Sequence, residues 1–279
     1  MLDQRQAAPH RPVSVVRVRD GMSERISDAA AVEEPLQVRI DGEAFAVLMR
    51  TPGDDRHLAA GFLYSERILR SAGDVVSIEP CVDRTHPGRS NVIDVALASG
   101  ARRAAEDRLA EQRKVVANAS CGLCGRVTIE SLQVEAPWID AAWTLDSQRA
   151  ATLPSRLRAR QSAFDETGGL HAAGLFAPDG TCDGLAEDVG RHNAVDKVVG
   201  RLLLADRLPR ADRALVVSGR ASFEIVQKAF LAGVPIIAAV SAPSSLAIDL
   251  ADAAGITLLG FVRDGGFNVY THAQRIIQP

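Results

Sequence analysis

The chain has 279 residues, 47% of them hydrophobic and 24% charged, which is the balance of a soluble globular protein with one large domain or two smaller ones. The formal net charge of -3 excludes an overall positive field that would attract nucleic acid. Residues 1–12 are polar, which argues against a secretory signal, and the most apolar segment, 234–255, is interrupted by Pro243, Asp249 and Asp252. We therefore expect a cytoplasmic protein with no nucleic-acid or membrane partner.

The first part of the chain predicts an α+β domain over residues 13–117, preceded by a flexible tail at 1–12. The elements that predict it are a strand at 12–20, a hairpin over 36–52 that turns at Asp41–Gly42, a helix over 54–69 capped by Asp54 or Asp55, strands at 75–80 and 91–99, and a charged helix or loop at 101–114.

The later part predicts an α/β domain over 128–279. Its first segment, 147–164, is typical of a helix with a break near Pro154. Two strands then flank the turn sequence APDGT, and an amphipathic helix follows at 192–206. From residue 214 the order is strand, helix, strand, helix, strand, which predicts parallel strands with right-handed crossovers.

A cysteine loop, NASCGLCGRV at 118–127, separates the two predicted domains. A structural zinc site needs four ligands, and the loop offers only Cys121 and Cys124, with no second C-x-x-C or H-x-x-x-H in the chain. The flanking pattern does not match a thioredoxin-like fold, and the adjacent Gly122 and Gly125 argue against a buried, inert pair.

A nucleophilic sulfur is the remaining interpretation. Backbone N–H groups in a glycine-bounded turn, and nearby Arg126, can stabilise a thiolate, which can take a sulfane sulfur and become a persulfide. Cys121 is the better carrier because small residues precede it. Cys124 would assist it, resolve the persulfide or act as a second carrier. A zinc-stabilised binding module stays as a weaker alternative.

Polar residues collect where predicted strands end. Arg191 and His192 follow a strand and open a helix, where capping alone does not explain them, so we expect them to line a site. Arg220 follows the strand 214–217, and it either reaches an anion or lies in solvent. In TGGLHAAGLF, we expect His171 to lie in the core with its hydrogen bonds satisfied.

The last of these strand ends is Phe261, Val262, Arg263, Asp264, Gly265 and Gly266. An aromatic ring, an arginine and an acid at a strand end are suited to bind a purine base. The alternative interpretation is a β-turn that carries surface charges. Successive strand ends of this kind favour one shared ligand crevice.

Five long segments taken together resemble the formate dehydrogenase accessory sulfurtransferases, the FdhD-type family. They are SCGLCG, TGGLHAAGLF, EDVGRHNAVDK, SGRASFEIVQKAFLAGVPIIAAVSAPSSLAI and GITLLGFVRDGGFNVYTH. The resemblance covers roughly residues 13–275 in matching order, and LAAGFLYSERIL fits the N-terminal part of the family.

The resemblance implies a C-terminal domain similar to the cytidine deaminase fold, although the deaminase signature H-x-E with P-C-x-x-C is missing. It implies a relay that accepts sulfur from a cysteine desulfurase and passes it to the molybdenum bis(molybdopterin guanine dinucleotide) of formate dehydrogenase, with no tightly bound metal of its own. Cys121 matches the persulfide carrier, Cys124 its partner, and Phe261–Gly266 the cofactor-binding stretch.

A homodimer that interacts with the formate dehydrogenase catalytic subunit is also implied. From chemistry we add that Arg191, His192 and Arg220 would neutralise phosphates. A chaperone that binds the guanylated cofactor without exchanging sulfur is the rival interpretation.

Overall fold

The computed structural model describes residues 8–81, 91–113, 137–263 and 265–278. These ranges form a six-stranded sheet, a four-stranded sheet, and two separate two-stranded pairings. The mixed α/β character predicted from the sequence is confirmed. In the ranges described, no helix is long and apolar enough to cross a membrane.

The strands carry the labels β1 to β14 in chain order. They are β1 His10–Arg19, β2 Met22–Ala31, β3 Glu34–Ile40, β4 Glu43–Arg50, β5 Val75–Cys81, β6 Val92–Leu97, β7 Leu145–Asp146, β8 His171–Phe176, β9 Cys182–Asp188, β10 Ala214–Val217, β11 Ile236–Ala239, β12 Thr257–Arg263, β13 Gly266–Thr271 and β14 Ile276–Ile277.

The helices carry the labels α1 to α7. They are α1 Asp55–Ser65, α2 Ser99–Arg113, α3 Ser147–Arg158, α4 Ser162–Thr167, α5 Arg191–Leu204, α6 Phe223–Leu231 and α7 Ser245–Ala254.

The six-stranded sheet has the order β13-β12-β11-β10-β8-β9. β10, β11 and β12 run parallel, as predicted, and the outer pairings are antiparallel. β10 and β11 are buried along their whole length because helices cover both faces of the sheet. α5, α6 and α7 share a core with one face, and α3 packs on the other.

The four-stranded sheet has the order β4-β3-β6-β5 and shares a core with α1. Its predicted hairpin turns at Asp41 and Gly42, whose φ angles of 48° and 85° are those of the primed turn that matches strand twist.

The two sheets meet where α1 crosses α5. A Cβ built on Gly61 would lie 1.9 Å from the Asp196 carbonyl oxygen, and one on Gly200 would lie 1.9 Å from that of His57. The two backbones therefore touch, which only glycine permits at these positions. The same contact brings the β9–α5 junction against the end of β4.

Two local predictions were wrong. The helix α3 continues through Pro154 to Arg158, because its apolar face (Ala150, Leu153 and Leu157) is held on the sheet. The strand β2 was missed because its apolar residues do not alternate with polar ones and most of its residues are exposed.

Candidate functional site

A cavity of about 570 Å³ opens at the edge of the sheet where β10, β11 and β12 end. Its other wall comes from the second half of α3, from the α3–α4 connection and from the segment that leads into β8. This is the position at which open α/β sheets bind ligands, and the volume is in the range of small-molecule sites. The residues lining it are Pro154, Ser155, Leu157, Arg158, Gln161, Phe164, Gly168, Gly169, Leu170, His171, Ser218, Val240, Val262 and Arg263.

His171 lies in the cavity wall. The expectation that this histidine is satisfied in the core is therefore wrong. β8 runs antiparallel to β10, so its first residue stands at the edge where β10 ends. Burial, followed by the nearby charges of Arg191 and His192, lowers the pKa of the His171 ring below its ordinary value of 6.5. The imidazole is therefore neutral at pH 7. Among the described residues its ring has no hydrogen-bond partner.

The loop after β10 is held against β8. The Ser218 hydroxyl oxygen accepts a hydrogen bond from the Ala172 amide at 2.9 Å, and the Ser218 amide donates to the Ala172 carbonyl at 3.0 Å. A Cβ on Gly219 would be 3.4 Å from His171 Nδ1 and 3.7 Å from Arg191 Cδ. His171, Gly219 and Arg191 are thus neighbours, and the Arg220 side chain that follows is exposed.

Asp188 and Lys197 form a buried ion pair behind this edge, at 2.7 Å. The Asp188 carboxylate also accepts from the amides of Thr51 and Gly190 and from the side chain of Asn193. Neither Asp188 nor Asn193 caps α5, whose N-cap is Gly190. These groups join the β9–α5 junction to the end of β4 in the four-stranded sheet, so their role is structural.

Arg191 and His192 stand in different electrostatic environments. His192 Nε2 is 2.8 Å from a Glu224 carboxylate oxygen and 3.1 Å from Ser222 Oγ. Arg191 Nε is buried and has no hydrogen-bond partner among the described residues. Arg191 is therefore the cation still available to an anion at this edge, whereas His192 already has a carboxylate partner.

The stretch from Phe261 to Gly266 alternates in exposure. Phe261 is 40% exposed, with a left-handed φ of 53°, and Val262 is fully buried beneath the cavity. Arg263 is exposed at the rim, and Gly265, with φ 103°, leads into β13, a strand that the sequence analysis did not predict. Asp264 lies outside the described residues.

Comparison with known proteins shows which family the chain belongs to. Residues 31–277 match the model of the FdhD/NarQ family. The chain belongs to the FdhD/NarQ family. Two proteins named sulfur carrier protein FdhD illustrate the likeness. The one from Streptomyces avermitilis is 48% identical over 94% of each chain, and the one from Saccharolobus solfataricus is 45% identical over 94% of this chain and 96% of its own.

A crystal structure described as that of a formate dehydrogenase accessory protein from Desulfotalea psychrophila has the same fold as this FdhD/NarQ chain. The TM-score is 0.75 at 26% identity, over 97% of this chain and 100% of that one. The predicted resemblance to the FdhD-type family is therefore confirmed.

Cys121 and Cys124 of this FdhD/NarQ chain lie outside the described residues, so their roles stay predictions. Of the cysteines that are described, Cys182 starts β9, with its sulfur 3.6 Å from the Gly184 carbonyl oxygen. In the described part of the chain, no group of three or more His, Cys, Asp and Glu side chains is arranged to hold a metal ion.

One wall of the cavity contains no residue that the sequence motifs predicted for a site. Arg158 ends α3, Gln161 lies in the α3–α4 connection and Phe164 lies in α4, a stretch of sequence that carries no recognised motif. The guanidinium of Arg158 lies 4.5 Å from the centre of the Phe164 ring. The only signal was the lone Phe164 in a polar segment.

Proposed function

We propose that this chain is a sulfur carrier that takes sulfane sulfur from a cysteine desulfurase and delivers it to the molybdenum of a bis(molybdopterin guanine dinucleotide) cofactor, for use by formate dehydrogenase. The observation that carries the proposal is the family match over residues 31–277, with relatives named sulfur carrier proteins at 45–49% identity. Cys121 and Cys124 fall inside the matched range.

The first chemical step is a thiol exchange at Cys121. Its thiolate attacks the terminal sulfur of the desulfurase persulfide, a new S–S bond forms, and the donor cysteine leaves as a thiolate. In the next step, Cys124 would attack the Cys121 sulfur and release the terminal sulfur as sulfide. The two thiols supply the two electrons and end as a disulfide. A second-carrier role for Cys124 is the alternative.

The cargo would lie at the carboxyl edge of the six-stranded sheet. Arg191, Arg220 and Arg263 supply positive charge there for the phosphates of the guanine nucleotide ends. His192 was expected to share this task, but its ring is already paired with the Glu224 carboxylate, so we assign it a weaker part. Phe261–Gly266 would form the rim of the binding surface.

The finer structural assignments belong to the same proposal. The sheet order, with helices on both faces, supports a C-terminal unit similar to the cytidine deaminase fold. Homodimer formation and binding to the formate dehydrogenase catalytic subunit rest on the family resemblance, and a cytoplasmic location is part of the same proposal.

The second candidate is a chaperone that binds the guanylated cofactor without sulfur exchange. The cavity and the cations at its edge support the chaperone as well as they support the sulfur carrier, because these features bind a ligand and perform no sulfur chemistry. The two functions differ only in whether Cys121 carries sulfur.

Mass spectrometry after incubation with a desulfurase and cysteine tests this difference. We expect one added sulfur on the wild-type protein and none on Cys121→Ala. Cys182→Ala is the matched control and should keep the adduct, because its thiol lies on β9 outside the loop. An unmodified wild-type protein, or an undiminished adduct on Cys121→Ala, would contradict the persulfide route.

A further inference from the structure

The strand β13 is an open edge of the six-stranded sheet. Among the described residues its only strand partner is β12, so no strand pairs with the backbone groups along its other side. Its residues, Gly266–Thr271, include no charged side chain and no proline, and Asn268 and Val269 are exposed. An uncharged edge strand of this kind is a template for pairing with another strand.

The opposite edge of the same sheet, β9, is closed by side chains of α5. Arg201 donates to the Leu185 carbonyl oxygen at 3.3 Å. Lys197 donates to the Glu187 carbonyl oxygen at 3.2 Å. β9 also carries acidic side chains, and charge is one of the features that keep an edge strand from pairing.

The two edges of the four-stranded sheet are also protected. β5 contains Glu79 and Pro80, and a proline cannot donate a hydrogen bond to a neighbouring strand. β4 begins with Glu43, and its Met49 carbonyl oxygen accepts from the Asn193 side chain at 2.7 Å. Of the outer strands of the two larger sheets in the described part of the chain, β13 alone has none of these features.

Apolar surface continues from β13 onto the neighbouring helix. Val269 on the strand is 36% exposed, and Leu246, in the first turn of α7, is 48% exposed. A Cβ built on Gly260 of β12 would lie 2.9 Å from both Pro243 and Tyr270, so the loop before α7 and the strand β13 meet at β12. An apolar surface beside an open strand edge is typical of a protein–protein interface.

The surface is large enough for a stable dimer. Six extended residues span about 20 Å, and α3 and α7 pack on the two faces of β13. A sheet with one layer of helices on each face is about 30 Å thick, so this side of the molecule measures roughly 600 Å² in outline. A standard interface buries about 800 Å² of accessible surface on each partner, which is the same order.

We propose that β13 pairs antiparallel with β13 of a second copy of this chain and joins two six-stranded sheets across a two-fold axis. The inference rests on the homodimer of the proposed function and assigns it a surface. Such a pairing sets one central residue of the strand opposite its own copy, so a charged residue there would face a like charge. The absence of charge along β13 therefore favours a second copy as the partner.

The pairing also affects the proposed binding edge. β13 begins where the stretch Phe261–Gly266 ends, so a partner strand on β13 holds the far end of the turn that forms the rim. Because the two-fold axis reverses the direction of the strand, the binding edges of the two copies point in opposite directions. Each copy thus keeps its own cofactor edge open.

Sedimentation velocity over a range of protein concentrations tests the interface. We expect the wild-type protein to form a dimer and Val269→Lys to raise the dissociation constant at least about tenfold, because the dimer would bring two ammonium groups together at the pairing edge. Val76→Lys is the matched control. Val76 is 70% exposed on the edge strand β5, and this variant should associate as the wild type does.

Hydrogen–deuterium exchange of the wild-type protein gives a second measurement that needs no variant. The amides of Gly266–Thr271 should exchange more slowly above the dissociation constant of the dimer than below it, because they gain hydrogen bonds to the partner strand. The amides of β5 should exchange at the same rate in both conditions.

A monomeric wild-type protein overturns both the interface and the homodimer. A Val269→Lys variant that dimerises as the wild type does, or β13 amides that exchange equally above and below the dissociation constant, overturns the interface and leaves the homodimer. The persulfide measurement at Cys121 is independent of both, so loss of the sulfur adduct in a protein that still dimerises through β13 removes only the sulfur transfer.

Discussion

At the level of single residues, the buried ion pair of Asp188 with Lys197 serves the fold behind the edge of the sheet at which the cavity opens. The Asp188 side chain is fully buried and that of Lys197 is 3% exposed. The Lys197 ammonium also donates to the carbonyl oxygens of Thr51 and Glu187, at 3.0 and 3.2 Å. Removing one partner of such a pair leaves the other charged and desolvated.

We expect Lys197→Met to lower the free energy of unfolding by about 3–5 kcal/mol, because Asp188 would remain as an unpaired buried carboxylate. Chemical denaturation measures the change. The control is Arg17→Met, which breaks the exposed pair of Arg17 with Glu24 and should cost no more than about 1 kcal/mol. Equal effects of the two substitutions would contradict the structural role of the buried pair.

His171 should make stability depend on pH. Burial holds the pKa of its ring below 6.5 in the folded protein, so the unfolded chain binds the proton at a higher pH than the folded one does. Its contribution to stability is fully present above pH 6.5 and is lost as the pH falls through the lower folded-state pKa.

Melting temperatures of wild type and His171→Gln, measured from pH 8 down to pH 5, test this expectation. The wild-type protein should lose more stability below about pH 6.5 than the variant does, since glutamine does not titrate. Parallel curves would show that the His171 ring is protonated equally in the folded and unfolded states.

At the level of elements, the contact between α1 and α5 positions the site. Gly61 and Gly200 let the two backbones touch, and the contact fixes the start of α5, which carries Arg191. The requirement is local, because the glycine at position 100 in α2 has open space around it.

Gly61→Ala should destabilise the protein by roughly 3 kcal/mol or more, because a methyl group cannot fit 1.9 Å from the Asp196 carbonyl oxygen. Gly100→Ala should be neutral or slightly stabilising, by about 0.5 kcal/mol, since it only adds helix propensity. Thermal unfolding measures both. A stable Gly61→Ala variant would mean that the helices are farther apart than described.

The elements that sequence patterns predicted are those whose local signal agrees with their tertiary environment. β10 and β11 are short apolar runs bounded by turns, and α5 carries a clear amphipathic repeat. β2 has no such pattern. Its strand state depends on pairing with β1 along its full length, from His10 opposite Ala31 to Arg19 opposite Met22.

At the level of the whole molecule, the place of the crevice was predictable and its inner wall was not. Parallel strands bring their carboxyl ends together, so Arg191, Arg220 and Arg263 were expected at one edge. The cavity wall that contains Gln161 depends on the packing of α3 on the sheet and on the hydrogen bonds that the Ala163 and Phe164 amides of α4 donate to Glu187 of β9. No local pattern in the segment RARQSAF encodes either contact.

The division of the chain at 118–127 stays a prediction, but the described parts on either side of it are closely joined. Asn193 donates to the Met49 carbonyl, Arg201 pairs with Asp54 at 2.9 Å, and the Tyr64 hydroxyl donates to the Leu231 carbonyl. The four-stranded sheet and α1 therefore support the start of α5, and with it the position of Arg191 at the edge of the six-stranded sheet. Substitutions at this junction should change both stability and ligand binding.

The most direct test of the central claim is formate dehydrogenase activity in cells that lack their own sulfur carrier and express either this chain or its Cys121→Ala variant. With equal protein levels, we expect wild type to restore activity and the variant to restore none, because the cofactor would be bound but would receive no sulfur. Full activity with Cys121→Ala would show that the chain delivers the cofactor without carrying sulfur.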